Sequence, residues 1–155
     1  MKKFTLFLFL TSLLNSCSSE SDCCAIVDTL TWIKYVDEAG SNFLAKEGIT
    51  EADIEVYHKI NGAWEEYYEG NLDSPKGIAL TEREGEIYLR LYPNTNTSEA
   101  SYSETKLVFK NFEGADLIKT KIDRSGNTTR VTEVYYNGEL KWQSQEDERI
   151  FEVIK

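Results

Sequence analysis

The chain has 155 residues, of which 27 are acidic and 17 are lysine or arginine, and its formal charge is −10. This balance argues against nucleic acid as a partner and against electrostatic adhesion to anionic lipid, because both would repel an acidic protein. The single histidine, His58, leaves zinc sites, hydrolytic triads and most proton shuttles without their usual parts.

The first residues have the three-part pattern of a secretory signal. Lys2 and Lys3 precede an apolar stretch over residues 4–14. That stretch is shorter than the roughly 20 residues that a permanent membrane helix needs. The sequence LNSC at residues 14–17 resembles the lipobox of bacterial lipoproteins. This resemblance implies cleavage before Cys17, a diacylglycerol on its sulfur and often an acyl chain on the new amino group. Several acyl chains give stable anchoring, whereas one alone gives marginal binding. The alternative is an ordinary secretory signal with a cysteine at the cleavage point.

A short polar segment follows the anchor position. Its sequence, SSESD at residues 18–22, resembles the acidic export signal of Bacteroidetes surface lipoproteins, which implies an outer-membrane location with surface exposure. The interpretation divides the chain into a signal (1–16), a lipidated cysteine with a tether (17–27) and one domain (28–155). The mature chain would carry 27 acidic residues against the 15 basic ones left of 17, a formal charge of −12. Cys23 and Cys24 are adjacent and cannot join distant parts of a fold. Free thiols, a strained disulfide within the pair and links to another molecule all remain open.

Short segments rich in β-branched and aromatic residues recur along the rest of the chain. Asn-Gly pairs at residues 61–62 and 137–138 predict tight hairpins. Thr50 is expected to cap one helical turn, and residues 93–103 are expected to form an exposed loop. The pattern predicts a mostly β protein with a single β-sandwich of immunoglobulin-like or Greek-key type, and a closed barrel is the main alternative. The predicted strands are 29–36, 54–60, 63–68, 77–81, 86–92, 105–109, 116–123, 129–136, 139–142 and 149–154.

Several of these segments together resemble small uncharacterised lipoproteins of Bacteroidetes. The resemblance spans nearly the whole mature chain and implies the location and the β-rich fold, but it implies no activity. Phe43 is a conservative departure from the leucine more usual at that position. The matching pieces are Cys23-Cys24 and the sequences VDEAGSNFL (36–44), ING (60–62), NLDSPKG (71–77), YNGELKW (136–142) and EVIK (152–155).

Aromatic residues suggest one binding surface. Trp32, Trp64 and Trp142 are candidate ligand-facing rings that would form a glycan-stacking platform on one sheet face. Neighbouring residues of a strand point to opposite faces, so each tyrosine doublet, 67–68 and 135–136, should place one ring inward. Thr29, within the sequence DTL, resembles the O-glycosylation motif of exported Bacteroidetes proteins and is a candidate modification site.

The other polar groups fit structural roles better than chemical ones. His58 is expected to face solvent or an aromatic neighbour and not to act in catalysis. Asp37, Glu38 and Asn42 offer oxygen ligands for calcium, but they lack EF-hand spacing, and stabilisation of a turn explains them better than a metal does. No cofactor is expected beyond the lipid on Cys17. The sequence therefore predicts a non-enzymatic envelope or surface module, membrane-anchored, with an unidentified protein or glycan partner. A glycan-binding accessory lipoprotein or a small carboxylate-based hydrolase is the alternative.

Overall fold

Side chains alternate between buried and more exposed positions along most strands, because two sheets pack face to face as a β-sandwich. The computed structural model describes residues 25–97, 101–144 and 148–155. Within them, eleven strands form two sheets. The strands are β1 (Ile26–Asp28), β2 (Thr31–Val36), β3 (Ile54–Ile60), β4 (Ala63–Glu66), β5 (Ile78–Arg83), β6 (Glu86–Leu91), β7 (Tyr102–Phe109), β8 (Asp116–Ser125), β9 (Thr128–Tyr136), β10 (Glu139–Gln143) and β11 (Ile150–Ile154).

The two sheets are separate, which confirms the predicted sandwich over one closed sheet. The larger sheet has the order β1-β9-β8-β7-β3-β4, and β10 also pairs with β9. The smaller sheet has the order β11-β2-β6-β5. Two pairings are parallel, β1 with β9 and β11 with β2, and the other pairings between strands are antiparallel. The chain therefore crosses repeatedly from one sheet to the other around the two ends of the sandwich.

The core lies between the sheets and follows the period of two that strands impose. In β7 every second residue is buried, from Ser103 to Phe109, and β2 buries Ile33 and Tyr35 from the opposite sheet. Each fully buried aliphatic or aromatic side chain contributes about 1.5–3 kcal/mol relative to exposure. Tyr35 packs edge-on against Phe109 across the core, with ring centroids 5.3 Å apart.

Helical structure is sparse in the part of the chain described. Helix α1 (Phe43–Lys46) is capped by the Asn42 carboxamide oxygen, which accepts from the Ala45 amide. A 3-10 turn over Glu51–Asp53 follows Thr50, whose amide and hydroxyl both donate to the Asp53 carboxylate. The expected helical turn after Thr50 is therefore confirmed, whereas α1 was not predicted. No helix within the described residues is long and apolar enough to span a membrane.

Two segments differ from their predictions. Ile26 and Val27 belong to β1, which pairs with β9, so folded structure begins within the predicted tether 17–27. The predicted exposed loop 93–103 contains Pro93 and Asn94, which are buried, and its last two residues start β7. In both places the contacts come from strands that are distant in sequence.

Arg149 fills a gap in the larger sheet. The outer edge of β9 pairs with β1 at residues 128–130 and with β10 from residue 133 onward. Between them the Arg149 guanidinium donates to the Val131 carbonyl at 3.1 Å, and it also donates to the Leu30 carbonyl at 2.7 Å. Its side chain is only 8% exposed and stacks over Trp142 at 4.6 Å. The Arg149 side chain therefore supplies a hydrogen-bond donor to β9 at a point that neither β1 nor β10 reaches.

Candidate functional site

A cavity of about 450 Å³ lies at one end of the sandwich. Three connections between the sheets pass this end: β1 to β2, β4 to β5, and β6 to β7. Each contributes to the walls, through Val27 and Thr29, through residues 67–77, and through residues 92–96. The buried lining residues include Thr29, His58, Gly77, Pro93 and Asn94. The exposed ones, here called the rim, are Val27, Glu69, Leu72, Asp73, Tyr92 and Asn96.

His58 is the most unusual group in the cavity wall. It follows Ile54 and Val56 on the inward face of β3, and the whole residue is only 8% exposed. Its ring stacks on Tyr67 with centroids 4.0 Å apart and planes 18° apart. Its Nε2 is buried and has no hydrogen-bond partner among the described residues. Burial lowers the pKa of His58 to about 4, so the imidazole is neutral at neutral pH.

Tyr67 is held in place from two sides. Its amide donates to the Val56 carbonyl at 2.8 Å, just beyond the end of β4. Gly77 faces the ring, and a Cβ there would lie 3.0 Å from Tyr67 Cε1 and 3.2 Å from the Tyr92 carbonyl oxygen. Gly77 also has φ +67°, a conformation that favours glycine. Burial, followed by the nearby Glu69, raises the pKa of Tyr67. The tyrosine is therefore neutral, like the histidine it stacks on.

The loop over residues 67–77 is closed by its own backbone. The Glu69 amide donates to the Pro75 carbonyl at 2.7 Å, and the Leu72 amide donates to the Glu69 carbonyl at 3.2 Å. The Gly77 amide donates to Ser74, and its carbonyl accepts from the Tyr92 amide, both at 2.8 Å. These bonds join the loop to the end of β6. Hydrogen bonds therefore hold the backbone of the loop that carries the rim residues Glu69, Leu72 and Asp73.

Asn94 fixes the opposite wall. The residue is fully buried, and its carboxamide donates to the carbonyls of Lys59 and Glu104 at 3.1 and 3.2 Å. Its backbone amide donates to the Thr105 hydroxyl at 2.8 Å, and its carbonyl accepts from the Ser103 hydroxyl. The inward polar residues at the start of β7, Ser103 and Thr105, thus find partners in this crossing segment. The His58 Nε2 finds none among the described residues.

The cavity is lined by acidic and neutral groups. Glu69 and Asp73 stand at the rim, and no lysine or arginine is among the lining residues that the structure describes. The one lysine of the loop, Lys76, instead donates to the carbonyls of Glu51 and Ile54, both at 2.9 Å. Arg90 contacts Tyr92 by donating to its hydroxyl at 2.6 Å, but Arg90 does not line the cavity. Arg124 likewise does not line the cavity, although it donates to the carbonyl of the lining residue Thr95. The described lining residues themselves therefore offer no positive charge to an anion.

The three tryptophans do not form one platform. Trp142 is 5% exposed and packs in the core, but together with Trp32 it lines a second cavity, so its assignment as a ligand-facing ring stays a prediction; Trp64 is not among the residues that line that cavity. Trp32 lies on the outer face of the smaller sheet beside Arg90, and Trp64 lies on the outer face of the larger sheet beside Lys59. The two half-buried rings are on opposite sides of the sandwich. In each tyrosine doublet one ring is more buried than its neighbour: Tyr136 is 7% exposed and Tyr135 is half-buried, while Tyr67 is half-buried and Tyr68 is 66% exposed.

Two other predicted sites have structural explanations. Thr29 is 5% exposed and lines the cavity, which is unsuitable for attaching a glycan, so the O-glycosylation prediction is corrected. The Asp37 carboxylate accepts from the amides of Ala39 and Ser41 and pairs with Lys46 at 2.7 Å. The Lys46 ammonium is the main cause of the lowered pKa of Asp37. The Asp37 carboxylate oxygens therefore stabilise the turn by accepting these hydrogen bonds. No cluster of three metal-ligating side chains occurs among the described residues.

The remaining predicted residues lie elsewhere in the chain. Cys17, Cys23 and Cys24 are outside the described residues, as is the signal segment 1–16. His58 has the aromatic neighbour that was expected, but it faces the interior and not solvent. One feature of the sequence does indicate that His58 faces inward. His58 has the same parity in β3 as Ile54 and Val56, which places a polar ring on the buried face.

Comparison with known proteins adds no information about function. No protein-family model, curated protein or solved structure matches this chain.

Proposed function

We propose that this protein is an exported, lipid-anchored binding module, and that the cavity beside His58 is its ligand site. The observation that carries the proposal is the His58 Nε2, which is buried in the wall of a cavity without a partner. A buried polar group left unpaired costs about 1–3 kcal/mol. The nitrogen has almost no exposed surface, so a ligand would reach it only with a small shift of the wall, and a hydrogen bond to it would then remove that cost.

The character of the walls supports a small ligand. Val27, Leu72 and Pro93 supply aliphatic surface, and Tyr67 and Tyr92 supply rings. Binding sites for small molecules are usually concave and mostly apolar with a few polar groups, and their volumes run from about 300 to 1,000 Å³. This combination is the reason to favour binding by the cavity over binding by the outer faces of the sheets.

A non-enzymatic role fits the cavity better than hydrolysis does. Glu69 and Asp73 both line it, which is what a carboxylate-based hydrolase would require. Both are exposed, however, whereas a carboxyl group that acts as an acid usually sits in an apolar, water-poor setting. The His58 Nε2 also contacts no hydroxyl nucleophile within the described residues.

The anchor would place the cavity close to a membrane. Val27 and Thr29 line the cavity, and they follow the lipobox-like cysteine by only a few residues. Residues 17–25, even fully extended, reach at most about 30 Å. A lipid on Cys17 would therefore keep the site near the outer-membrane surface. Replacement Cys17→Ala should move the protein from the membrane fraction to the soluble fraction, and continued tight membrane association would contradict the anchor.

Three aromatic probes of one shape test the binding site: 2-phenylethanol, 2-phenylethylammonium and phenylacetate. Ligand-observed NMR on the wild-type protein should detect binding of at least one probe. Leu72→Trp should abolish it by filling the rim, where Leu72 is 44% exposed. The matched control Leu117→Trp changes a leucine that is 45% exposed on the outer face of the larger sheet, and it should bind as wild type does. Binding of no probe, or binding unaffected by Leu72→Trp, would contradict the proposal.

A further inference from the structure

We infer that the cavity beside His58 selects an organic cation, an ammonium group on an apolar body, over neutral and anionic molecules of the same shape. This inference rests on the proposed function, because it assigns a ligand class to the same site. It concerns the charge that the cavity prefers in a ligand, and this preference depends on the charged groups around the rim. The features that carry it are the distribution of charge, the tyrosine rings and the neutral polar group in the wall.

Charge at the rim has one sign. Glu69 and Asp73 are exposed lining residues, and the described lining residues include no lysine or arginine. Lys76 lies in the same loop but directs its ammonium to the carbonyls of Glu51 and Ile54. An anion entering the cavity would meet two carboxylates without a compensating cation. A cation would be attracted by both, and the −10 charge of the whole chain adds to that attraction.

The tyrosine rings suit the same class of ligand. Tyr67 and Tyr92 both line the cavity, and the negative faces of aromatic rings attract ammonium groups. Arg90 already lies over the Tyr92 ring, 5.8 Å from its centroid. That contact shows the Tyr92 ring in use as a cation partner on one side. The Tyr67 ring is stacked on His58, so the two carboxylates are the main attraction inside the cavity.

His58 supplies a polar contact without adding positive charge. The whole residue is 8% exposed, and its ring stacks on Tyr67 and has an unpartnered Nε2. Burial keeps the pKa of His58 near 4, so a bound cation does not meet an imidazolium at neutral pH. The neutral ring can exchange a hydrogen bond with an N–H or O–H group of the ligand. The buried group and the exposed carboxylates therefore favour the same kind of molecule.

Around the rim, apolar side chains provide for the body of the ligand. Val27 is 68% exposed, Leu72 is 44% exposed and Tyr92 is 36% exposed, and all three line the cavity. Apolar side chains exposed together around a concavity mark binding surfaces. Small inorganic cations would leave this surface in water, whereas an organic cation would cover it.

Isothermal titration of the three matched probes tests the selectivity. We expect 2-phenylethylammonium to bind roughly tenfold more tightly than 2-phenylethanol, and phenylacetate to bind most weakly. Raised salt should reduce the first ratio by screening the carboxylates. The double replacement Glu69→Gln with Asp73→Asn should bring the cation and the alcohol to similar affinities. Glu113→Gln, which neutralises an exposed glutamate away from the cavity, should leave the ratio unchanged.

The outcomes separate this inference from the proposed function. Equal binding of the alcohol and the cation, both lost in Leu72→Trp, would overturn the selectivity for cations and leave the cavity as the binding site. Preferential binding of phenylacetate would overturn the selectivity in the same way. A tenfold preference that survives the double replacement would also refute the role of Glu69 and Asp73. Failure of all three probes to bind would count against the site itself.

Discussion

Replacing His58 should remove a defined part of the acid sensitivity of this fold. The ordinary pKa of histidine is about 6.5, and burial lowers that of His58 to about 4 in the folded protein. Between these values the unfolded chain binds a proton and the folded protein does not. Stability therefore falls as the pH decreases from about 6.5 and the loss is complete near pH 4. His58→Leu and His58→Gln cannot titrate and should lack this loss.

The size of the effect follows from the shift. A difference of about 2.5 units between the two pKa values corresponds to at most about 3.4 kcal/mol of unfolding free energy at 1.36 kcal/mol per unit. Carboxylates titrate in the same range, but they are present in wild type and in both variants. The informative quantity is therefore the difference in unfolding free energy between wild type and variant, and it should change by about 2–3 kcal/mol between pH 7.5 and pH 4.

Urea unfolding followed by tryptophan fluorescence at a series of pH values measures this difference. The two variants differ in polarity, so they will have different stabilities at pH 7.5, but both should give the same pH dependence relative to wild type. A difference that stays constant to within about 0.5 kcal/mol across the range would refute a buried, neutral His58. A larger stability loss in the variants at pH 4 than at pH 7.5 would reverse the sign and contradict the burial outright.

Two further replacements test the frame of the site and the sheet behind it. Gly77→Ala should destabilise the protein by about 1–3 kcal/mol and weaken probe binding, because the new Cβ meets the Tyr67 ring at 3.0 Å and φ is +67°; unchanged urea unfolding and unchanged binding would contradict this geometry. Arg149→Met should cost about 2–4 kcal/mol, because it leaves the Val131 carbonyl of β9 and the Leu30 carbonyl between β1 and β2 without this donor. Arg130→Met is its control, since Arg130 is 53% exposed and its ion pair with Asp28 should contribute less than about 1 kcal/mol. Equal effects of the two arginine replacements on urea unfolding would contradict the role of Arg149 in the gap beside β9.

Sequence patterns were sufficient for most strands and insufficient for the cavity. The Asn-Gly hairpin at residues 61–62 and the alternation in β3 predict their structures directly, because both depend on neighbours in sequence. Strand β7 was predicted from Thr105 and starts at Tyr102. Ser103 and Thr105 occupy inward positions as polar residues, and their partner Asn94 lies on a crossing segment about ten residues away.

The cavity is a product of three connections that meet only in the folded protein. Nothing in the sequence places Thr29 near Gly77 or Asn94, so the lining could not be assembled from local patterns. The aromatic platform failed for the same reason. Trp32 and Trp64 each sit on an outward position, but assigning them to one face requires the order of strands in both sheets.

Titration of 2-phenylethylammonium into the protein, followed by the imidazole resonances of His58 in NMR spectra, tests the central claim most directly. The chain contains one histidine, so the signals are unambiguous. We expect saturable shifts of the His58 ring-nitrogen resonances in wild type and in Leu117→Trp, and no shifts in Leu72→Trp. Saturable binding with unperturbed His58 resonances would place the ligand elsewhere and contradict the assignment of the site.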